Sequence, residues 1–326
     1  MSSALRILAP GPSATIQDLG RPGWFSAGVG VSGAADPDSL RLANRLVGND
    51  EGAACIECVL GGLQLEAIQP ITFVVTGAPA PITIDGTPAD HASVARLAPG
   101  QRLTLGLATT GLRTYVAFRG GIAVEPVLGS RSRDTLAGLG PEPLQPGDEL
   151  PVGPEPMTPP NAEVTPAVPI TNDPLRVRVR LGPRADWFVR PEDLYIGSWV
   201  VTDRLDRVGA RLAREEGCPP LTRTDDRELP TEGMPLGAIQ VPPSGEPVVF
   251  LADHPITGGY PVIGVVQHAD ISRVAQARPG QQLVFVREHA PAYLGQLADL
   301  QIALRGQPTP TETAAVIAAL TMLTRS

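Results

Sequence analysis

The chain has 326 residues, of which 35 are Gly and 36 are Pro, with 42% apolar and 4% aromatic residues. This marks a folded, turn-rich protein below the roughly 25–30% Pro plus Gly at which an aperiodic chain reads as low complexity. All 26 basic residues are Arg and none is Lys, and the net charge is −8, which excludes a biotinyl or lipoyl lysine, a side-chain Schiff base, a Walker-A lysine and general affinity for nucleic acid or anionic membrane.

The opening Met1 to Pro10 segment has too short an apolar run for a signal peptide, and no stretch approaches the roughly 18 apolar residues of a membrane span. A soluble, cytoplasmic protein is expected. The first cluster of polar residues and glycine is Thr15-Ile-Gln-Asp18-Leu-Gly-Arg21-Pro-Gly23, continuing to Gly28 and then Ser32-Gly33-Ala-Ala-Asp36. It reads either as an anion-binding loop, with Arg21 gripping carboxylate or phosphate, or as an ordinary glycine loop with Asp18 and Arg21 paired. Asp36-Pro37-Asp38-Ser39 caps a helix whose apolar positions are Leu40, Ala43 and Val47, stopped by Gly48-Asn49.

Cys55-x-x-Cys58 lies in an apolar run ending in Gly61-Gly62, so it reads as strand rather than as a redox motif, which should open a helix. Strands are expected at Ile71 to Thr76, Pro81 to Asp85, Arg102 to Leu107 and Leu112 to Phe118. Pro-Gly turns at Pro99-Gly100, Pro146-Gly147 and Pro279-Gly280 each launch a following strand, since Pro presets the first turn dihedral and Gly takes the positive one. Such punctuation suits closed β-architectures. A second cluster, Val127-Leu-Gly129-Ser130-Arg131-Ser132-Arg133-Asp134, reads equally as an anion site or a surface Arg-Asp pairing.

The segment from Pro151 to Pro174 is Pro-rich without apolar periodicity, the profile of a semi-rigid spacer. Leu175, Val177, Val179 and Leu181 alternate with Arg176, Arg178 and Arg180, a strand with one buried face. The third cluster is Asp206-Arg207-Val208-Gly209, which reads equally as a solvated charged face, and the fourth runs from Thr231-Glu232-Gly233 through Gly237 and Gln240 to Asp253-His254 and Thr257-Gly258-Gly259-Tyr260-Pro261, where His254 reads either as functional or as a loop residue before Pro255. Strands at Val248 to Leu251, Val262 to Gln267 and Gln282 to Val286 frame them, with a helix from near Asp270 to Pro279-Gly280. Thr309-Pro-Thr-Glu312 makes a capping box before an apolar run from Ala314 to Leu323. The histidines at 91, 254, 268 and 289 have no metal-binding spacing, and no metal site is expected on this chain.

The four clusters, in this order, resemble the family of 5-oxoprolinase C subunits, also described as KipA-like, as allophanate hydrolase subunit 2 and as the biotin-dependent carboxyltransferase-like domain. The likeness covers roughly residues 5 to 288, through Thr15 to Gly23, Val31 to Asp36, Ala43 to Asn49, Leu128 to Arg131, Gly237 to Pro242, Leu251 to Asp253 and Thr257 to Pro261. Two positions depart from the family pattern: Val262 stands where Lys is common, and Leu205-Asp-Arg-Val-Gly209 where Ser-Asp-Arg-Met-Gly is common.

The resemblance implies a mainly β protein with two β-barrel-like, cyclophilin-like lobes; the caps and apolar runs add few short helices and a helical C-terminal tail, which falls outside the resemblance. The expected division is an N-terminal lobe at 1–153, a Pro-rich linker at 154–173, a C-terminal lobe at 174–290 and the tail at 291–326. It also implies one part of a hydrolase complex, working with a KipI-like partner and a LamB/YcsF-type partner and opening 5-oxoproline to L-glutamate with ATP and Mg2+ at the level of the complex. In that scheme Asp253, Arg207 and Tyr260 are the expected catalytic residues. Arg21, Asp18, Arg131, Gln240, Thr257, Gly258 and Gly259 bind substrate. The alternatives are a carboxyltransferase component taking CO2 from biotin on another chain, and a non-enzymatic KipA-like regulator of a KipI-like kinase inhibitor.

Overall fold

A computed structural model describes residues 3–160, 169–224, 227 and 229–288. The expected tail at 291–326, with its apolar run from Ala314 to Leu323, and the centre of the Pro-rich segment lie outside the described residues. What is described is mainly β, with two α-helices, α1 at Pro37–Val47 and α2 at His268–Ala275.

The N-terminal part consists of two sheets. One has six strands in the order Glu149–Pro151, Ser3–Ala9, Gln64–Ala67, Arg102–Leu105, Ile82–Ile84 and Thr87–Ala89. The other has five, in the order Ser13–Gln17, Cys55–Val59, Arg113–Phe118, Ile71–Gly77 and Ala95–Leu97. Strand residues point alternately to the two faces of a sheet, and the five-stranded sheet uses both. Ile56, Phe73, Val75, Val116 and Phe118 pack with Leu5, Ile7, Leu65 and Leu103 of the six-stranded sheet. Cys55, Val74, Tyr115 and Ala117 face the other way, against Leu40, Ala43, Leu46 and Val47 of α1. Burial on both faces explains why these strands read as nearly continuous apolar runs.

Helix α1 starts where its cap predicts. Asp36 Oδ1 accepts from the Ser39 amide at 3.0 Å, Pro37 occupies the first turn, and Gly48 ends the helix in the left-handed region. The C-terminal part is a closed seven-stranded barrel, in the order Leu175–Leu181, Val262–Val266, Ala238–Gln240, Val248–Phe250, Gly209–Arg214, Trp199–Leu205 and Gln282–Arg287. Val177, Val179, Trp199, Leu212, Ile239, Val249, Ile263 and Phe285 fill it, and Ile271 and Val274 of α2 extend that core. All three Pro-Gly turns take the expected conformation, with φ of +84° at Gly100, +95° at Gly147 and +86° at Gly280. The second helix spans His268 to Ala275, so Asp270 sits in its first turn, where it accepts from the Arg178 amide at 2.8 Å and guanidinium at 2.9 Å.

The alternation in Cys55–Val59 sends Cys55 toward α1 and Cys58 into the space between the sheets. Two thiols on opposite faces of one strand cannot join, which agrees with the strand reading of Cys-x-x-Cys. Burial pushes the Cys55 thiol up to about 12 and raises Cys58 as well, whereas Cys218 is half-buried. Since the thiolate is the reactive form, brief iodoacetamide treatment of the native protein is expected to add one adduct by intact mass, on Cys218, and three in denaturant. Alkylation of Cys55 or Cys58 without unfolding would contradict this placement.

Candidate functional site

Polar residues from both lobes meet in a largely buried cluster. Arg207, in the turn between the strands Trp199–Leu205 and Gly209–Arg214, lies at its centre and is 7% exposed. Its Nε and Nη2 donate to the two oxygens of Asp253 at 2.8 and 2.9 Å, a bidentate pairing. Its Nη1 crosses to Glu57 Oε1 at 2.6 Å, and Nη2 also reaches Gln17 Oε1 at 3.3 Å and the Gly33 carbonyl. Glu57 further accepts from Tyr115 Oη at 2.7 Å and the Ala35 amide at 3.0 Å, and lies 3.6 Å from Arg113 Nε. Asp253 accepts from Ser32 Oγ at 2.6 Å and from the amide and hydroxyl of Thr135 at 2.9 and 2.8 Å.

Two buried arginines thus face two buried carboxylates, and the charges balance. Burial alone would raise Glu57 and Asp253, but Arg207, joined by Arg113 at Glu57 and by hydrogen bonds at both, holds them below the usual carboxylate range. Burial opposes the charge on Arg207, and the two carboxylates reverse that and raise its pKa. Asp36 is raised by burial, although Gln276 Nε2 donates to it at 2.7 Å. Gln276 also ties the lobes, since its Oε1 accepts from the amides of Leu112 and Arg113 at 2.9 and 2.8 Å.

The first two sequence clusters form a neighbouring site. Asp18 accepts from Ser130 Oγ at 2.6 Å, the Arg131 amide at 2.6 Å, the Gly20 amide at 2.7 Å and Ser132 Oγ. Arg21 is fully enclosed. It donates to the Ser132 carbonyl, and its closest carboxylate is Asp134 at 3.8 Å rather than Asp18. Arg131 donates from Nε to the Val124 carbonyl at 2.7 Å. The path of the loop requires glycine at two points: a Cβ on Gly20 would stand 2.4 Å from the Val31 carbonyl oxygen, and one on Gly33 2.8 Å from the Gly20 nitrogen, both with positive φ. The 130–135 loop connects the two groups, since the Arg133 carbonyl accepts from Gln17 Nε2 at 3.0 Å and Thr135 binds Asp253.

Gln240, Thr257, Gly258, Gly259 and Tyr260 gather elsewhere, at a two-stranded ribbon pairing Glu232–Gly233 with Thr257–Gly258. Gln240 Nε2 lies 3.4 Å from the Tyr260 carbonyl and 3.9 Å from Met234 Sδ, and the Tyr260 side chain is exposed. The expected residues therefore fall in three places rather than one.

A cleft of about 230 Å3 lies over the charged cluster. Its walls include Val31, Pro235, Leu236, Ala252 and Ile271, with Phe25 at the glycine loop and Arg41 from α1. Ser32 and Ala35 belong both to the cleft and to the cluster, through their bonds to Asp253 and Glu57. His254 lines the cleft with its ring stacked on Phe250, Nδ1 2.7 Å from the Leu251 carbonyl and Nε2 3.2 Å from that of Met234. Among the described residues no group of three or more His, Cys, Asp or Glu side chains converges to hold a metal.

Sequence reasoning missed Glu57, Arg113, Tyr115 and Gln276 in the cluster, and Arg41 in the cleft. The available signal for Glu57 and Arg113 was a single charged residue inside an otherwise apolar strand.

The cluster generates a stability prediction. Replacing Arg207 with Met leaves two buried carboxylates without their shared counter-charge, and is expected to cost about 3–5 kcal/mol in urea denaturation. Carboxylates depressed on folding stabilise fully above their unfolded values of about 3.9 and 4.3, and that stability is lost as pH falls through the folded values. The parent protein should therefore weaken below about pH 4, whereas Arg207→Met, whose carboxylates are then raised by burial, should gain stability on acidification from pH 7 toward 5. Parallel pH profiles would show that the cluster is not coupled in this way.

Residues 27–287 match the family model for the carboxyltransferase domain, subdomain A and B. The chain is 37% identical to the C subunit of 5-oxoprolinase from Escherichia coli (strain K12) over 288 residues, 87% of this chain and 91% of that protein. Among solved structures, that of TTHA0988 superposes with a TM-score of 0.77 at 34% identity, covering 87% of this chain, which spans 56% of the TTHA0988 chain. The K. lactis urea amidolyase superposes with a TM-score of 0.82 at 28% identity, over 92% of this chain but 19% of the amidolyase. On the family match and the near full-length identity to a 5-oxoprolinase C subunit, the chain belongs to the carboxyltransferase domain family, subdomain A and B.

Proposed function

We propose that the chain is one subunit of an ATP-dependent 5-oxoprolinase that opens 5-oxoproline to L-glutamate with KipI-like and LamB/YcsF-type partner subunits in the cytoplasm. The observation that carries this reading is extent. The chain spans 91% of a 5-oxoprolinase C subunit, whereas it spans only 19% of a urea amidolyase chain that holds the same fold among much else.

The chemistry explains the need for several components. A lactam carbonyl is a poor electrophile, and transfer of a phosphoryl group from ATP to its oxygen activates the carbon for addition of water; the adduct collapses with cleavage of the ring C–N bond, and a second water hydrolyses the resulting acyl phosphate to glutamate and phosphate, given positive charge and a site closed to bulk solvent. The described residues do not fit a Mg–ATP site: the chain has no Lys, no carboxylate group converges for a metal, and Arg207 is spent on Asp253 and Glu57. The proposal therefore puts nucleotide and Mg2+ on the partner subunits and leaves substrate holding to the interlobe cleft. Arg207 and Asp253 are positioning residues in this scheme, since their hydrogen-bonding groups are taken up inside the protein and they act through Ser32 and Ala35 at the cleft floor.

The test is to purify the chain with its two partners and follow glutamate release from 5-oxoproline. ATP-dependent release is expected from the three-component assembly and from no component alone; a verified assembly without turnover would sink the proposal. The likeness to urea amidolyase, with its TM-score of 0.82, supports a second reading, transfer of a carboxyl group from biotin carried on another chain. It requires activity that depends on a biotinylated partner.

A further inference from the structure

Three turns of the N-terminal part share a composition that free surface seldom has. Residues 22–28, 126–129 and 135–138 are exposed throughout and none of them is charged, in a chain that is 18% charged. They carry Trp24, Phe25, Val127, Leu128 and Leu136, five of the ten large apolar side chains that stand exposed among the described residues. Aromatic and apolar side chains without charge are the composition of an interface centre.

The turns rise from one buried base. Arg21, just before the first, donates to the Ser132 carbonyl and lies 3.8 Å from Asp134, just before the third. Ser130, just after the second, donates from Oγ to Asp18 at 2.6 Å. Asp18, Arg21, Ser130 and Asp134 are all buried. A chain extends at most about 3.3–3.6 Å per residue, so Trp24, Leu128 and Leu136, two or three residues from these anchors, stay within roughly 7–11 Å of them, on the solvent side. The patch borders the interlobe cleft, since Phe25 lines the cleft and a Cβ on Gly30 would stand 3.4 Å from Ile256 Cγ2.

Leu128 is a second, independent sign of display. Val127 and Ser130 exchange backbone hydrogen bonds at 2.7 and 3.2 Å across a two-residue turn, with φ of +53° at Leu128 and +83° at Gly129. Asn is favoured at that first position, and a bulky apolar residue in the left-handed region is strained. Because Leu128 stays exposed, packing within the chain does not explain its choice. Such strain persists where a side chain is held for a task.

We propose that these three turns form the docking surface for a partner subunit of the assembly proposed above, on which the choice of occupant rests. The partner presents a neutral, apolar surface with a recess for Trp24 and sits at the mouth of the cleft. Two observations favour a different chain over a second copy. Two copies with a net charge of −8 repel, and an uncharged patch offers nothing to offset that. In solved relatives the fold also continues into further sequence, since this chain spans 56% of the TTHA0988 chain and 19% of the urea amidolyase.

The experiment is isothermal titration of the full chain with each purified partner subunit and with both together, alongside size-exclusion chromatography of the chain alone. Binding is expected, with Trp24→Ala weakening it by at least about thirtyfold and Leu136→Ser and Leu128→Asn by about tenfold each. Leu128→Asn separates display from folding: Asn suits the turn, so the melting temperature should hold or rise while affinity falls. Val189→Ser, at an exposed apolar residue of the C-terminal part, should change neither. Unchanged affinity in Trp24→Ala and Leu128→Asn, binding under none of the three conditions, or a chain that dimerises through these turns would each overturn the proposal. The two inferences fail separately. A complex that depends on the three turns but leaves 5-oxoproline intact keeps the surface and removes the function, and an active assembly indifferent to all three variants keeps the function and removes the surface.

Discussion

One guanidinium, that of Arg207, sits where the two halves of this molecule meet, held by Asp253 from its own barrel and by Glu57 from the five-stranded sheet. Taking three charges out of water is costly, and the cost is offset only when the geometry is close and the remaining hydrogen-bonding groups are filled. Both conditions are met. Gln17, Ser32, Tyr115, Thr135 and the Gly33 carbonyl supply the remaining partners. The consequence is directional: apolar packing would let the lobes slide, whereas a bidentate pair and a buried carboxylate on the far side fix their separation and register.

The cleft depends on this arrangement. Its walls come from the glycine loop and α1 on one side and from the barrel segments 234–236, 252–254 and 268–271 on the other. No single element encloses it, so the spacing of the lobes sets its width. Ser32 and Ala35 carry that spacing directly, because each has one contact with the charged cluster and one with the cleft interior. The glycine loop is drawn tight enough to do this only because Gly20 and Gly33 let backbone pass against backbone.

Much of the fold was legible from local chemistry. The Pro-Gly turns, the Asp36 cap and the alternation of Val177 and Val179 with arginines all depend on neighbours within a few residues, and each took the form expected. The site was legible in part. The clusters around Asp18, Arg207 and Asp253 stand out in the sequence, and the structure brings them close and bonds them to one another's loops. Gln240 and Tyr260 stand at the ribbon instead. What local patterns could not reveal is pairing across long stretches of chain: Glu57 meets Arg207 from 150 positions away. Arg41 looks like any charged residue on a helix surface until the barrel is set beside it.

The pattern of sheet edges has its own consequence for how this protein can meet another. A closed barrel offers no unpaired strand, so among the described residues strand pairing with a partner must come from the edges of the two N-terminal sheets or from the two-residue ribbon strands Glu232–Gly233 and Thr257–Gly258. Those edges are poorly suited to it. Thr87–Ala89 has Pro88 at its centre, with no N–H to donate, and Glu149–Pro151 ends in Pro151. The edge strand Ser13–Gln17 is already covered, its Ala14 and Ile16 carbonyls accepting from the amides of Leu144 and Arg133. Among the described residues the three-residue strand Ala95–Leu97, with exposed Arg96 at its centre, and the two-residue strands of the ribbon are left. Strand addition is thus largely closed off in the described residues, and recognition of other chains has to be written in side chains, where a surface without lysine relies on arginine for every positive contact.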